Sequence, residues 1–401
     1  MATPILIFTA GYGEGHNAAA RALAAACDDT YGPGTARIVD LFALTHPRFN
    51  QVSRRAYLAT INNAPRLWSR LYAWIDRSNV VPSCLWLLGR ERRLLAQIIA
   101  TENPAVICST YPVYAFLLEC LQQDGHRLPP HFNIVTDSIS INSLWWRAGA
   151  AGWFVPNTDS ADVMRQAGLA DALLHVSGFP VPSFFGANAA RLSPPDLITP
   201  GTAPRVLYII NSGTNHAAET ARRLIAETAW EITIAVGRNE TLRRDLEKLA
   251  EGRALPVHCL GWTNQIPHLL MTHHVVISKA GGATTQEAIA ARCPMIVNQI
   301  VPGQEEGNYE LLRRTGAGAL ATTPAAVIAS LRAAFAESGA LWQQWRNALA
   351  PIVRNEAAPT IARHLGRVAN LHVGTPATAP ASVAQAATPI ALVNPSAAIT
   401  S

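Results

Sequence analysis

The run from Val275 to Gly318 constrains this chain most, because it reads as strand, turn, helix, strand, loop and helix in succession. Val275-Val276-Ile277 is a short β-branched apolar run of the kind buried in a parallel sheet. It stops at Gly281-Gly282, and Thr284 to Ala291 has amphipathic helical spacing. A strand, a glycine turn and a helix start together present free backbone N–H groups and a positive dipole end to an anion. The two glycines lack the Cβ atoms that would hold a diphosphate off the backbone, and Thr284 and Thr285 add hydroxyls. Glu287 falls one turn into the helix, where a carboxylate can accept both hydroxyls of a ribose whose phosphates rest on the helix end. The competing interpretation is a glycine-punctuated βαβ unit with a polar surface loop.

A second strand, Pro294 to Asn298, runs into Pro302-Gly303-Gln304-Glu305-Glu306-Gly307-Asn308. Amides and carboxylates side by side at the carboxyl end of a strand suit a polyhydroxylated partner, because sugar hydroxyls both donate and accept. The helix Tyr309 to Arg314 follows and ends at Gly316 and Gly318.

SKAGGATTQEA followed by PGQEEGN resembles the donor-nucleotide signature of the monogalactosyldiacylglycerol synthase and processive diacylglycerol glucosyltransferase family. The resemblance implies an α/β chain of the GT-B architecture, with two Rossmann-like domains facing each other across a cleft and a UDP-sugar as donor. The family is similar in turn to the lipid-linked N-acetylglucosaminyltransferase of peptidoglycan synthesis. By resemblance Lys279, Gly281, Gly282, Ala283, Thr284 and Glu287 bind the nucleotide, and Gln304, Glu305, Glu306 and Asn308 meet the sugar.

At 401 residues the chain is too long for one compact core and suits two domains. At 49% hydrophobic and 15% charged residues, it is globular rather than disordered in composition. No apolar run reaches membrane-spanning length, and the N-terminus opens on a core strand rather than a basic-then-apolar leader. Cys27, Cys84, Cys108, Cys120, Cys259 and Cys293 form no CxxC pair, which argues for reduced structural thiols in a cytoplasmic protein and against zinc. A net charge of +5 favours an anionic partner: nucleotide, acidic lipid or nucleic acid.

Ile5 to Thr9 is a buried-strand pattern, and Asn17 to Ala26 an alanine-rich helix. Between them Gly13-Glu14-Gly15-His16-Asn17-Ala18-Ala19-Ala20 matches the family's Gly-x-Gly-His-x-x-Ala-Ala element, with Gly15 on the donor side. His16 falls where loop meets helix; by resemblance it is the base or an acceptor-site group, and otherwise it caps its own helix. From Arg48 to Arg93 there are nine arginines against only Asp76 and Glu91, interleaved with Trp68, Tyr72, Trp74 and Trp86. Arginine heads such as Arg54 and Arg55 with tryptophan rings suit an anionic bilayer surface; a pair of amphipathic helices with a solvated arginine face is the alternative. No nucleic-acid module is recognised, so nucleic acid is not expected as a partner.

Ala105 to Cys108 and Asn133 to Thr136 are further strands, with Tyr111 and Asp137 just beyond them. The family has a histidine where Tyr111 stands. It has another before the tryptophan corresponding to Trp145, where this chain has Asn142-Ser143. Resemblance makes Asp137 a cleft carboxylate that orients His16 or is itself the base, and places Tyr111 and Trp145 with the acceptor. Downstream, Ser212, Gly213 and Thr214 fall in a loop that approaches the donor in the family, and Gly261-Trp262-Thr263 in one that holds uracil. His268, His273 and His274 read as structural. Leu341 to Arg367 reads as helices broken at Pro351 and Pro359.

The expected organisation has an N-terminal acceptor- and membrane-facing domain over 1–183 and a linker over 184–204. A UDP-sugar domain over 205–345 and helices over 346–370 crossing back to the first domain follow, then a disordered Ala/Pro-rich tail over 371–401. The expected activity is inverting transfer of a hexose from UDP-galactose or UDP-glucose to a diacylglycerol-type lipid, without an obligatory metal or other cofactor. The alternatives are transfer from UDP-N-acetylglucosamine to another acceptor, an epimerase, or a silent UDP-sugar or lipid binder. The expected location is the inner face of the cell membrane, with peripheral attachment.

Overall fold

The computed structural model describes residues 4–11, 14–45, 60, 70, 74–78, 80–210, 216–303 and 305–372. Strands apolar on both faces bury both, as the central strands do here, in two six-stranded sheets whose pairings are all parallel. The first contains β1 (Ile5–Phe8), β2 (Ala36–Val39), β3 (Val106–Ser109), β4 (His131–Ile134), β5 (Gly152–Val155) and β6 (Leu174–Val176), in the order β2-β1-β3-β4-β5-β6. The second contains β7 (Arg205–Ile209), β8 (Glu231–Gly237), β9 (Val257–Gly261), β10 (Val275–Lys279), β11 (Met295–Gln299) and β12 (Gly318–Leu320), in the order β12-β11-β10-β7-β8-β9.

These orders reverse between β1 and β3 in one sheet and between β7 and β10 in the other. Such switch points leave a crevice at the strands' carboxyl ends, where open α/β sheets take ligands. Gly11 and Thr110 follow β1 and β3 there; Gly281 follows β10.

Several helices start earlier than their residue patterns suggest. The first runs Glu14–Tyr31, so Gly15 and His16 lie in its opening turn, and Gly282–Ala290 includes the second glycine. Glu306–Thr315 draws Glu306, Gly307 and Asn308 out of the expected loop into a first turn. Pro351 does break the C-terminal helices, within the 3-10 turn Ala350–Ile352. Pro359 does not: it is the third residue of Ala357–Val368, where a missing N–H forfeits no intrahelical bond.

That last helix packs on the first domain, where Ala358, Ile361, Ala362 and Leu365 share a core with Ile5, Ala20, Leu23 and Val106. Gly366 passes Tyr31 so closely that a β-carbon would lie 2.1 Å from the phenol oxygen. Between the sheets, Ala19 of the first helix is buried in one cluster with Ala280 and Ala288 of the second domain. An Arg314–Asp159 ion pair at 3.1 Å also joins the domains.

Candidate active site between the two glycine turns

The first domain contributes a polar cluster on aromatic supports. His16 Nδ1 lies 2.9 Å from the Thr136 hydroxyl, and the Tyr111 ring stands edge-on to the imidazole at 5.2 Å. Burial pushes His16 down to about 4, against a smaller upward pull from its hydrogen bond to the Thr110 main chain. It is therefore neutral at physiological pH. Next along the chain, Asp137 Oδ2 accepts the Trp145 indole N–H at 2.8 Å. Burial is the main influence raising Asp137 to about 6; the Trp145 and Asn142 hydrogen bonds oppose it and the nearby Asp76 charge adds to it.

The second domain contributes an anion cradle. The Thr285 N–H already bonds the Gly281 carbonyl at 2.9 Å, which leaves the amides of Gly282, Ala283 and Thr284 without an intrahelical acceptor. Lys279 reaches over this turn: a β-carbon on Gly281 would lie 3.4 Å from its Nζ. Lys279 is held there by an ion pair with Glu305, whose other oxygen accepts the Val301 N–H at 3.0 Å. Asn308 donates to the Ala280 carbonyl at 3.0 Å, and its buried Oδ1 has no protein partner. Burial raises Glu287 to about 7, while the first domain's Arg21 pulls it down.

The halves face each other at close range. A β-carbon on Gly15 would lie 3.9 Å from the Ala283 nitrogen, and one on Gly282 would lie 3.3 Å from the Thr136 carbonyl oxygen. The amide cradle and the His16/Asp137 cluster thus share one interdomain space.

Residues 16–181 match the sequence model of the monogalactosyldiacylglycerol (MGDG) synthase family. Over this region the chain is similar to that family. It is 25% identical over 361 residues to the processive diacylglycerol beta-glucosyltransferase of Bacillus cytotoxicus, across 89% of this chain and 92% of the relative. The enzyme of that name from Bacillus thuringiensis is 25% identical over 367 residues, at 89% and 92% coverage. Two solved structures share the fold. S. aureus MnaA with UDP has a TM-score of 0.58 at 12% identity, over 93% of this chain and 98% of that one. Os79 from O. sativa with UDP has a TM-score of 0.58 at 13% identity, over 91% and 100%. The architecture is GT-B.

Measured against the family signature, His16, Asp137, Tyr111, Trp145, Gly15, Lys279, Gly281–Thr284, Glu287 and Asn308 gather around this interdomain space. One expectation changes. Glu305 turns inward and spends both oxygens on Lys279 and Val301, so it positions the lysine rather than facing a sugar. Trp145 is 1% exposed, and its indole N–H supports the Asp137 carboxylate from inside the first domain. Trp262, between the strand-end Gly261 and Thr263, is 75% exposed, so most of its ring is open to solvent. Glu306 is exposed at its helix start.

Trp74 and Trp86 lie outside the cleft and are 55% and 76% exposed. Arg54, Arg55, Trp68, Ser212, Gly213, Thr214, Gln304 and the tail from residue 373 lie outside the described residues. Residue pattern does not single out Thr136 or Arg21, and marks Asp76 only as one of two acids in the arginine-rich stretch. Thr136 adjoins Asp137 and is legible from it; Arg21 carries no local signal, and nothing local ties Asp76 to the site.

Proposed function

We propose that the chain transfers a hexose from UDP-galactose or UDP-glucose to the hydroxyl of a diacylglycerol-type lipid, with inversion at the anomeric carbon. The carrying observation is the approach of the free amides of Gly282, Ala283 and Thr284 to the Asp137 cluster across a closed interdomain space. The family relation and the diacylglycerol glucosyltransferase relatives support the donor and acceptor classes.

Asp137 is the base in this reading. With a carboxyl raised to about 6 it is mostly ionised at neutral pH yet basic enough to take the acceptor's proton. His16 is the weaker candidate, since it is held near 4 and its Nδ1 is engaged with Thr136; it orients the hydroxyl. As the glycosidic bond breaks, negative charge grows on the diphosphate, where the three amides, the helix dipole and Lys279 stabilise it. Glu287 takes the ribose hydroxyls. Attack from the face opposite the leaving group inverts the sugar, and the closed domains exclude water. This chemistry requires no further cofactor.

No described helix is long and apolar enough to cross a membrane. Exposed Trp74, Trp86 and Leu87 among the arginines of the first domain support peripheral docking on the anionic inner face of the cell membrane.

The test is incubation of the full chain with radiolabelled UDP-galactose or UDP-glucose and diacylglycerol in anionic vesicles. Label entering the organic phase is expected; label that stays with nucleotide or water-soluble sugar contradicts the reading.

A further inference from the structure

The 3-10 turn Ser143–Trp145 carries the support for Asp137, and it is clamped by residues far away in sequence. The Ser143 N–H donates to the Asp76 carboxylate at 2.6 Å, and the Ser143 hydroxyl donates to the Asp76 carbonyl at 2.7 Å. Arg147 donates to the carbonyls of Asp76 and Ser78. The turn is therefore bonded to residues 76–78 at both ends. From its middle the Trp145 indole reaches Asp137, while the Trp145 carbonyl accepts from the Trp153 indole at 2.6 Å.

We infer that Asp76 is a positioning residue for the transfer reaction: its carboxylate fixes the 143–147 turn so that Trp145 holds Asp137 toward the acceptor hydroxyl. This rests on Asp137 being the base. A carboxylate suits the place because it accepts the otherwise unpaired N–H at the start of the turn, where charge-assisted bonds are strongest. The electrostatics agree, since the Asp76 charge helps to raise Asp137, second to burial in that direction. Of the other ionisable groups near the turn, Arg77 follows Asp76 and is exposed, Arg147 is bound to carbonyls, and His16, neutral at the working pH, lies beside the Trp145 and Tyr111 rings.

The separation from the donor site makes the inference testable. UDP rests on the second domain, so loss of the clamp should lower kcat and leave UDP affinity unchanged. Asp76→Ala removes the acceptor of the Ser143 N–H, and a base displaced by a fraction of an ångström to an ångström is expected to lose about 10-fold to 100-fold in kcat. Asp76→Asn keeps an oxygen for Ser143 and removes only the charge. It should retain most of the activity at pH 8 and shift the acid limb of the pH–rate profile to lower pH. Trp145→Phe removes the indole N–H without touching Asp76 and should reproduce the kcat loss; it decides the matter if Asp76→Ala does not fold, as judged by UDP calorimetry.

Asp137→Asn, run alongside, separates the two levels of failure. Turnover undiminished in Asp137→Asn overturns the base assignment. An inactive Asp137→Asn, together with wild-type kcat in Asp76→Ala or Trp145→Phe and an unmoved profile in Asp76→Asn, overturns the positioning role alone.

Discussion

The Ser138 carbonyl of the first domain lies against the Cα of Gly307 in the second, so close that a β-carbon there would fall 1.8 Å from the oxygen. Such a carbon would also lie 2.5 Å from the Ser140 nitrogen, so backbone blocks it on two sides. Gly307→Ala should leave each domain folded and prevent this closed contact, because overpacking against backbone cannot be relieved by a rotamer change. The expected result is a fall of at least tenfold in kcat, through misplacement of base against donor. Steady-state kinetics and small-angle scattering, which should report a more open molecule, check it together.

His16 tests the division of labour. Its imidazole is neutral above about pH 4, so it contributes no ionisation near 6.5. His16→Asn should lower kcat by roughly 10²-fold, as expected for loss of a group that orients the acceptor hydroxyl. The acid limb of the pH–rate profile should stay near 6, where Asp137 titrates. A limb that vanished with His16 would move the base assignment to the imidazole.

The sheet ends were legible because their cues are local. β10 is a β-branched run stopped by glycine, and the amide cradle follows from it without tertiary information. Pairings across sequence were not. Lys279 and Glu305 lie on successive βα units, and a strand-end lysine alone reads as solvated until Glu305 turns inward. Resemblance places Trp145 with the acceptor, but only the fold brings the Asp137 carboxylate to its N–H. The three-residue edge strands β6 and β12 are too short to leave a period.

Acid stability should show the second domain's buried histidines. His273 bonds the Leu269 carbonyl and the Thr233 hydroxyl, and burial lowers it to about 4. A folded value below the unfolded value near 6.5 means the contribution is complete above pH 6.5 and lost as pH falls toward 4. Between those values the unfolded state binds one proton more, worth about 1.4 kcal/mol per pH unit. In His273→Gln, denaturant titrations from pH 6 to 5 should show a slope shallower by about that amount. An unchanged slope would mean that His273 is already charged in the fold.

The crossing helix depends on a bare surface at Gly366, where the Tyr31 ring occupies the space of a side chain. Gly366→Ala should destabilise the chain by about 1–3 kcal/mol through overpacking. Tyr31→Ala in the same chain should recover part of that loss, a coupling that a double-mutant cycle of denaturation midpoints measures. Additive effects would place the helix elsewhere.

Calorimetric titration of UDP into the full chain, repeated with Glu287→Ala, tests the donor site most directly. Because burial holds Glu287 near 7 and ribose hydroxyls favour its ionised form, binding at pH 6.5 should release a proton and tighten as pH rises to 8. Glu287→Ala should weaken UDP at least tenfold, the loss of a hydrogen-bonded charge worth about 1.5–3 kcal/mol, and abolish the proton release. No uptake of UDP, or uptake with the same affinity and pH dependence in Glu287→Ala, would contradict the account.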